Sequence, residues 1–367
     1  MWTVYNPVAL RFGWGALSSL PDIIPPGRIL IVTGRSFTKR ILDPVLHLIP
    51  NRDIEIFDQI EANPSSQTIE DGIRLCRDRN CAVVLGLGGG SPLDAGKAIA
   101  FLSNKKVSVL DVMHKRAEAS GKGLPFIAVP TTAGSGSEVT PYSILTDTVT
   151  KKKISIAHPD SYPISAVLDP DLTLTMPALL TASTGLDVLA HSIESAWSRY
   201  SQAVSRSLAI GAARLVFQFL PAAVQDGADR PARENMLLAS AMAGMAISHT
   251  GTTINHSISY PLTLYRGVPH GFACALSLPA VMRYNLKASR EVLDQMAGAC
   301  GFSGAAELIT KVENLIRAVG CPQNLGALNI TETDLDWLNR ESYGKNAAKS
   351  PEKVDPADML EILRSML

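Results

Sequence analysis

The sequence predicts two successive domains, an α/β domain over residues 1–177 and an all-helical domain over residues 178–367, and three observations carry that prediction. Short β-branched or apolar runs at residues 28–33 (RILIVT), 81–87 (CAVVLGL) and 125–129 (PFIAV) alternate with helical stretches before Pro177. Runs of that length, bounded by Gly and Pro, read as buried parallel strands of a βα repeat. Beyond Pro177 the apolar period is helical almost throughout, over residues 179–199, 205–219 and 230–248,. A chain of 367 residues is also long enough for two sizeable cores.

In chain order, the second strand-like run ends in residues 86–91 (GLGGGS), and a helix is predicted from there over residues 92–101, carrying Asp94 and Lys97. Glycines let a backbone approach a phosphate closely, and free amides at a helix N-terminus favour negative charge there. Strand, glycines, serine and helix follow in the order a diphosphate site needs, although the loop is neither GxGxxG nor a Walker loop. Residues 130–140 (PTTAGSGSEVT) follow the next strand. Their hydroxyls suit a nucleotide's ribose and phosphates, or equally a loop that caps a helix.

Asp187 and His191 stand four residues apart in GLDVLAHSIES, one turn apart on one helix face,. His256 and His270 are separated by Pro261, Gly267 and Pro269, which are expected to break a single helix and let two segments converge,. Three imidazoles and a carboxylate suit zinc, ferrous iron or a similar ion. Of the seven histidines, His47, His114, His158 and His249 read as ordinary core residues with their hydrogen bonds satisfied. Residues 235–247 are apolar nearly all round, with small residues that permit close approach, and read as a central buried helix,.

The 34 basic and 34 acidic side chains cancel, which leaves no electrostatic footprint for nucleic acid or for an anionic membrane. The N-terminus lacks a signal-peptide pattern, and no unbroken apolar run of the ~18 residues a spanning helix needs is visible. The chain therefore reads as cytoplasmic. Its five cysteines form neither a CxxC pair nor a disulfide framework and read as reduced, buried thiols,.

GGGSPLDAGK, PTTAGSGSEVT, GLDVLAHSIES and the HSISY to VPHG block occur in one order over roughly residues 12–285. Together they resemble the iron-containing alcohol dehydrogenases. The resemblance implies an N-terminal dinucleotide-binding domain, a C-terminal metal-binding domain and a homodimer. It implies that Asp187, His191, His256 and His270 bind catalytic Fe2+, sometimes replaced by zinc. It places Gly89, Gly90 and Ser91 at the cofactor diphosphate, and Asp94, in the helix that follows, in the same cofactor site. Thr131, Thr132, Ser135, Thr140 and Lys153 would line the rest of the cofactor site, although Lys153 also ends a Lys151 to Lys153 run that suits a solvated face,. The implied chemistry is hydride transfer between nicotinamide C4 and a metal-polarised carbonyl.

Two departures from the family pattern carry expectations of their own. Where many NAD-using relatives place an aspartate after the first strand, this chain has Gly34, Arg35 and Ser36. Without that carboxylate a 2′-phosphate is not repelled, and Arg35 and Ser36 can bond to it, so NADPH is expected over NADH. One turn after His256, where many relatives have a histidine, stands Tyr260. Its hydroxyl either relays a proton, as a poor base at neutral pH, or only shapes the pocket.

Arg266, four residues before His270, is the candidate for binding an anionic group on a small aldehyde such as phosphonoacetaldehyde; the alternative is a solvent-facing arginine in a turn. Glycerol dehydrogenases and dehydroquinate synthases are the rival readings within the wider superfamily.

Overall fold

The computed structural model describes residues 1–35 and 39–367. The chain divides into two compact units. One is built of residues Asn6–Thr132 and Ser137–Thr173, and the other of Met1–Tyr5, Ala133–Gly136 and Leu174–Leu367. The helical unit thus includes four residues from the middle of the PTTAGSGSEVT stretch.

The first unit carries strands β1 (Ala9–Phe12), β2 (Ile29–Gly34), β3 (Ile54–Ile60), β4 (Val83–Gly88), β5 (Phe126–Pro130), β6 (Tyr142–Thr146), β7 (Lys153–Ala157) and β8 (Ser165–Leu168). Six of them form one sheet in the order β1-β8-β5-β4-β2-β3, every pair parallel. β6 and β7 pair separately as an antiparallel ribbon. The predicted runs at 28–33, 81–87 and 125–129 are β2, β4 and β5, each displaced by one or two residues. Each run continues into the glycine or proline that was expected to bound it, because Gly34, Gly88 and Pro130 still fit the ladder. The core on one sheet face is aliphatic, with Ile29, Ile31, Leu85 and Val129 packed beneath Val45 and Ile49.

Chain order reverses across this sheet. From β2 the chain goes outward to the edge strand β3, then returns past β2 to β4 and continues to β5. The carboxyl ends of β2 and β4 therefore flank the switch point, where open parallel sheets bind ligands.

The sheet unit also holds helices α1 (Leu20–Ile23), α2 (Lys39–Leu48), α3 (Ser66–Asp78), α4 (Gly90–Leu102) and α5 (Val109–Met113). The helical unit holds α6 (Ala178–Trp197), α7 (Ala203–Gln225), α8 (Arg230–Thr250), α9 (Ile254–Arg266), α10 (His270–Ala299), α11 (Ala305–Ala318), α12 (Leu335–Ser342) and α13 (Pro356–Arg364). α8 begins where the Asp229 side chain accepts from Ala232 N and ends at Gly251, φ 63°. α6 packs against α7, α8 and α10 and is buried all round from Thr181 to Trp197, apart from half-buried Thr184. Its polar side chains must therefore find partners inside the protein. α7 is long and apolar enough, by length and composition, to cross a membrane, against the expectation of no such stretch. Arg206 and Arg214 interrupt it, and it lies along α6 and α8.

Candidate metal centre and nucleotide loop

α6 presents Asp187, His191 and Glu194 on successive turns of one face,. α9 contributes His256 in its first turn, and α10 starts on His270. Pro261 does not end a helix as expected: α9 runs through it, and the break is made by Gly267, φ 66°, followed by Pro269.

One carboxylate oxygen lies at the convergence of the three histidines. Asp187 Oδ1 is 3.5 Å from His256 Nε2, 3.8 Å from His191 Nε2 and 4.0 Å from His270 Nε2. Donor atoms ~2.1 Å from one ion sit roughly 3.0–3.4 Å apart, so these separations are within several tenths of an ångström of a coordination sphere. Asp187 is 6% exposed and His256 3%, yet Asp187 Oδ1 and His256 Nε2 have no hydrogen-bond partner. Orphaned buried polar atoms of this kind are costly, and a divalent cation would satisfy both. The residues present fit such an ion. The His270 side chain, 32% exposed, leaves the centre open on one side.

All four expected ligands meet here, and a cysteine stands beside them. The four donor atoms within 4.8 Å of one another belong to Asp187, His256, His270 and Cys274. His191, whose Nε2 lies 3.8 Å from Asp187 Oδ1, stacks on His256 with ring centroids 4.7 Å apart.

The outer partners fix the histidine tautomers. His256 Nδ1 donates to Glu194 Oε2, and Glu194 Oε1 accepts from Thr253 N at 2.7 Å and Thr253 Oγ1 at 2.6 Å. Ser259 Oγ donates to the His256 carbonyl and so accepts from His270 Nδ1 at 3.4 Å. Both rings are left with Nε2 facing the centre. Glu194 was missed in the sequence, where its spacing from Asp187, seven residues on the same helix, was the available signal.

Electrostatics follow from this packing. Burial pushes the Asp187 carboxyl up, but His191, His270 and His256 outweigh it and hold the group well below the usual carboxylate range. Burial lowers His191. Burial opposes the charge on His256, yet Cys274, Glu194 and Asp187 raise it well above an ordinary imidazole. Tyr260 stacks on His270 with centroids 6.1 Å apart, and burial raises its phenol, so its hydroxyl stays protonated at neutral pH.

At the switch point, Gly88 has φ +147°, and a Cβ there would meet Pro92 at 2.8 Å. Gly89 is the N-cap of α4, with Gly90 and Ser91 opening the helix. A Cβ on Gly89 would reach the Thr132 side chain at 3.3 Å, so Thr132 lies directly over the loop. Thr131 is buried, its N–H donating to Gly88 O. Ser91 Oγ accepts from Asn63 N. Gly34 ends β2, and Arg35 is exposed, its Nε donating to Gln59 O. Ser36 lies outside the described residues. Ser135 belongs to the helical unit.

Asp94 and Thr140 face inward. Asp94 accepts from Ser137 Oγ and Ile144 N, and Thr140 Oγ1 bonds to Ser137 O and to Lys97 Nζ. Both are engaged by the protein, with Lys153 acting on Asp94 through its charge from the start of β7. The pair's organiser is Lys97, fully buried, whose ammonium donates to Ser137 O, Ser137 Oγ and Tyr142 O. Burial, opposed by Asp94 and Glu138, pulls Lys97 down to about 8.

Burial also pushes Glu138 up to about 7. A carboxyl raised in the folded state binds more protons than in the unfolded chain between its two pKa values. Its contribution to stability is therefore complete below pH 4.5 and is lost as pH rises through 7, a swing of about 3 kcal/mol. Glu138→Gln removes that swing: urea unfolding at pH 5 and pH 8 should show the variant gaining about 2.5 kcal/mol on the native chain between the two, and a constant difference would refute the assignment.

Arg266 takes part in a half-exposed ion pair. Its Nη2 pairs with Asp334 Oδ1 at 3.2 Å and its guanidinium lies over Trp337. It also sits at the far end of α9, ten residues or ~15 Å of helix rise beyond His256,.

A parallel sheet with a glycine-opened helix at its switch point, and a helical unit with imidazoles around a buried carboxylate, define a nucleotide-linked metalloenzyme fold. Residues 7–170 match the family described as Iron-containing alcohol dehydrogenase, and residues 181–367 match its C-terminal counterpart. The chain is 36% identical over 322 residues to a 1,3-propanediol dehydrogenase of Citrobacter freundii, covering 85% of this chain and 83% of that protein. Among solved structures it is similar to a sulfoacetaldehyde reductase from Bifidobacterium kashiwanohense in complex with NAD+, TM-score 0.93 at 33% identity over 100% of this chain and 98% of the other. It is also similar to a 1,3-propanediol oxidoreductase, TM-score 0.94 at 31% identity over the whole of both chains. The chain belongs to the iron-containing alcohol dehydrogenase family. It is an oxidoreductase.

Proposed function

We propose that this enzyme reduces small aldehydes, including anionic ones, with a nicotinamide cofactor and a divalent metal held at Asp187. The observation that carries the reading is the convergence of three imidazoles on one buried carboxylate oxygen without a partner. Bound there, the ion supplies Lewis-acid polarisation of a carbonyl, and the nicotinamide supplies hydride. Asp187 provides the anionic ligand, His191, His256 and His270 provide neutral Nε2 donors, and Glu194 locks the His256 ring. Tyr260 keeps its proton and so serves as a donor or a wall, not as a base. Gly89, Gly90 and Ser91 offer amides to the diphosphate, and Thr132 closes over them.

The anionic class rests on the likeness to the sulfoacetaldehyde reductase, not on Arg266. Arg266→Ala is expected to leave the ratio of kcat/KM for anionic over neutral aldehydes within about twofold and to cost under about 1 kcal/mol, as exposed ion pairs do. A selective loss on anionic aldehydes would reinstate Arg266 as a substrate contact.

NADPH preference rests on Arg35 and on the missing carboxylate after Gly34. The two domains are drawn at residues 1–177 and 178–367, the homodimer at the exposed edge strand β1, and a reducing compartment such as the cytoplasm at five free cysteines. The test is a panel of aldehydes with anaerobically purified enzyme, following NADPH and NADH absorbance. Metal-dependent oxidation of either cofactor supports the reading. Bound metal and cofactor with no net oxidation favours a synthase with internal redox.

A further inference from the structure

We infer that Lys97 is a positioning residue of the cofactor site, which fixes the hydroxyl-rich segment after β5 over the diphosphate loop; this rests on the nucleotide reading above. The segment is tied at two ends. At the near end Thr131 N–H donates to Gly88 O, and a Cβ on Gly89 would reach the Thr132 side chain at 3.3 Å. The far end is tied to α4, the helix that opens with Gly90 and Ser91. Lys97 Nζ donates to Ser137 O at 2.7 Å, to Ser137 Oγ at 2.9 Å and to Tyr142 O at 2.7 Å. Asp94, one turn earlier on α4, accepts from Ser137 Oγ and from Ile144 N, so the Ser137 hydroxyl is bonded in both senses. Lys97 lies two turns beyond Gly90, ~10 Å of helix rise, so one helix carries both the diphosphate amides and the far anchor of the segment that covers them.

Burial and packing assign this hold to the site and not to the core. Lys97 is fully buried and cannot itself touch a cofactor, so it acts through the segment it ties down. Its ion pair with Asp94 is loose, Oδ1 standing 3.9 Å off, and the neighbouring carboxyl of Glu138, also buried, leaves Oε1 without a partner. A buried cation held this loosely is costly, and a well-packed apolar side chain of similar volume often serves stability equally well. What the ammonium does achieve is the placement of backbone, since two of its acceptors are main-chain carbonyls. The platform behind it is rigid: a Cβ on Gly96, the preceding residue, would meet Phe126 Cε2 at 2.8 Å and Gly86 Cα at 3.4 Å, so α4 is seated tightly on β4 and β5. A segment fixed to such a helix holds Thr132 over Gly89 before the cofactor arrives, and its ordering does not have to come out of binding.

Lys97→Met keeps an unbranched side chain and removes the ammonium. Steady-state kinetics and fluorescence titration with NADPH and NADH, on the metal-loaded full-length enzyme, should show KM and Kd for the cofactor raised at least about tenfold, which is what one hydrogen bond to a charged group is worth. At saturating cofactor kcat should stay within about threefold of native, the split expected when binding is lost and chemistry is kept, and metal content should not change. Ser137→Ala, which removes one acceptor and leaves Lys97 in place, should shift both constants the same way by about three- to tenfold, and it decides the question if Lys97→Met does not fold. A lower melting temperature with Kd within about twofold of native makes Lys97 a core residue only and overturns the inference, as does a fall in kcat while Kd holds. Failure of the native chain to bind either cofactor overturns the nucleotide reading itself.

Discussion

Asp187→Ala should empty the metal centre and lower kcat/KM by at least about 10³-fold, the equivalent of ~4 kcal/mol of transition-state stabilisation. Asp187 is the oxygen on which His191, His256 and His270 converge, and among these residues it brings the negative charge that offsets a dication. Three neutral imidazoles can still hold an ion, but the carboxylate's Coulomb term in a site this buried is lost. Metal content after dialysis should therefore fall from near one per chain to below about a tenth. Fluorescence titration with NADPH should give a Kd within about threefold of native, because the glycine loop belongs to the other compact unit. A variant that retains its metal and its activity within tenfold would sink the assignment of Asp187 as a ligand. Asp187→Asn should fall between the two, since the amide oxygen keeps a ligand and forfeits the charge.

What was legible in the sequence follows from the range of the interactions involved. β2, β4 and β5 could be read because a strand buried on both faces is a local run of apolar residues, and its ends blur only because glycine and proline are tolerated at the last rung. Asp187 and His191 could be read because helical spacing alone fixes their common face. The same rule applied to His270 points to Cys274, and applied to Asp187 it points to Glu194. Glu194 was passed over because nothing local says that His256, 62 residues later, is brought to it, and Cys274 because an inert thiol and a thiol beside two imidazoles look the same in sequence.

Lys97 and Glu138 sat inside motifs already singled out, but nothing local says that the lysine is fully buried and hydrogen-bonded to Ser137 and Tyr142, forty or more positions away. The pairing of Arg266 with Asp334, 68 residues later, is a purely tertiary fact. So is the assignment of residues 133–136 to the helical unit. A histidine can be placed on a helix face from sequence, but its ring cannot be oriented; His191 lies on the expected face of α6 and stacks on His256.

Gly271→Ala should be as damaging as the loss of a ligand, though it removes no functional group. The glycine follows His270 in the first turn of α10, where that helix meets α6. A Cβ built there falls 1.7 Å from the Ser183 carbonyl oxygen, 2.6 Å from its carbon and 3.1 Å from Asp187 Cβ. Carbon and oxygen in contact need roughly 3.3 Å, so the start of α10 would have to retreat from α6 by about 1.5 Å. The obstacle is backbone, which cannot rotate away as a side-chain tip can. That retreat carries His270 off Asp187, and misplacement of about 1 Å in a catalytic group is enough for a 10²-fold loss. Overpacking of a buried helix contact adds a stability cost of ~1–3 kcal/mol or more. The expected result is metal occupancy below about half, kcat/KM down at least 10²-fold and a lower melting temperature. Gly298→Ala, near the other end of the same helix with nothing within 4 Å of its Cβ, should instead stabilise the protein by about 0.5–1 kcal/mol through the ordinary preference of a helix for alanine. If Gly271→Ala behaves like Gly298→Ala, the two helices do not meet at Gly271, and the geometry that brings His270 to Asp187 is wrong.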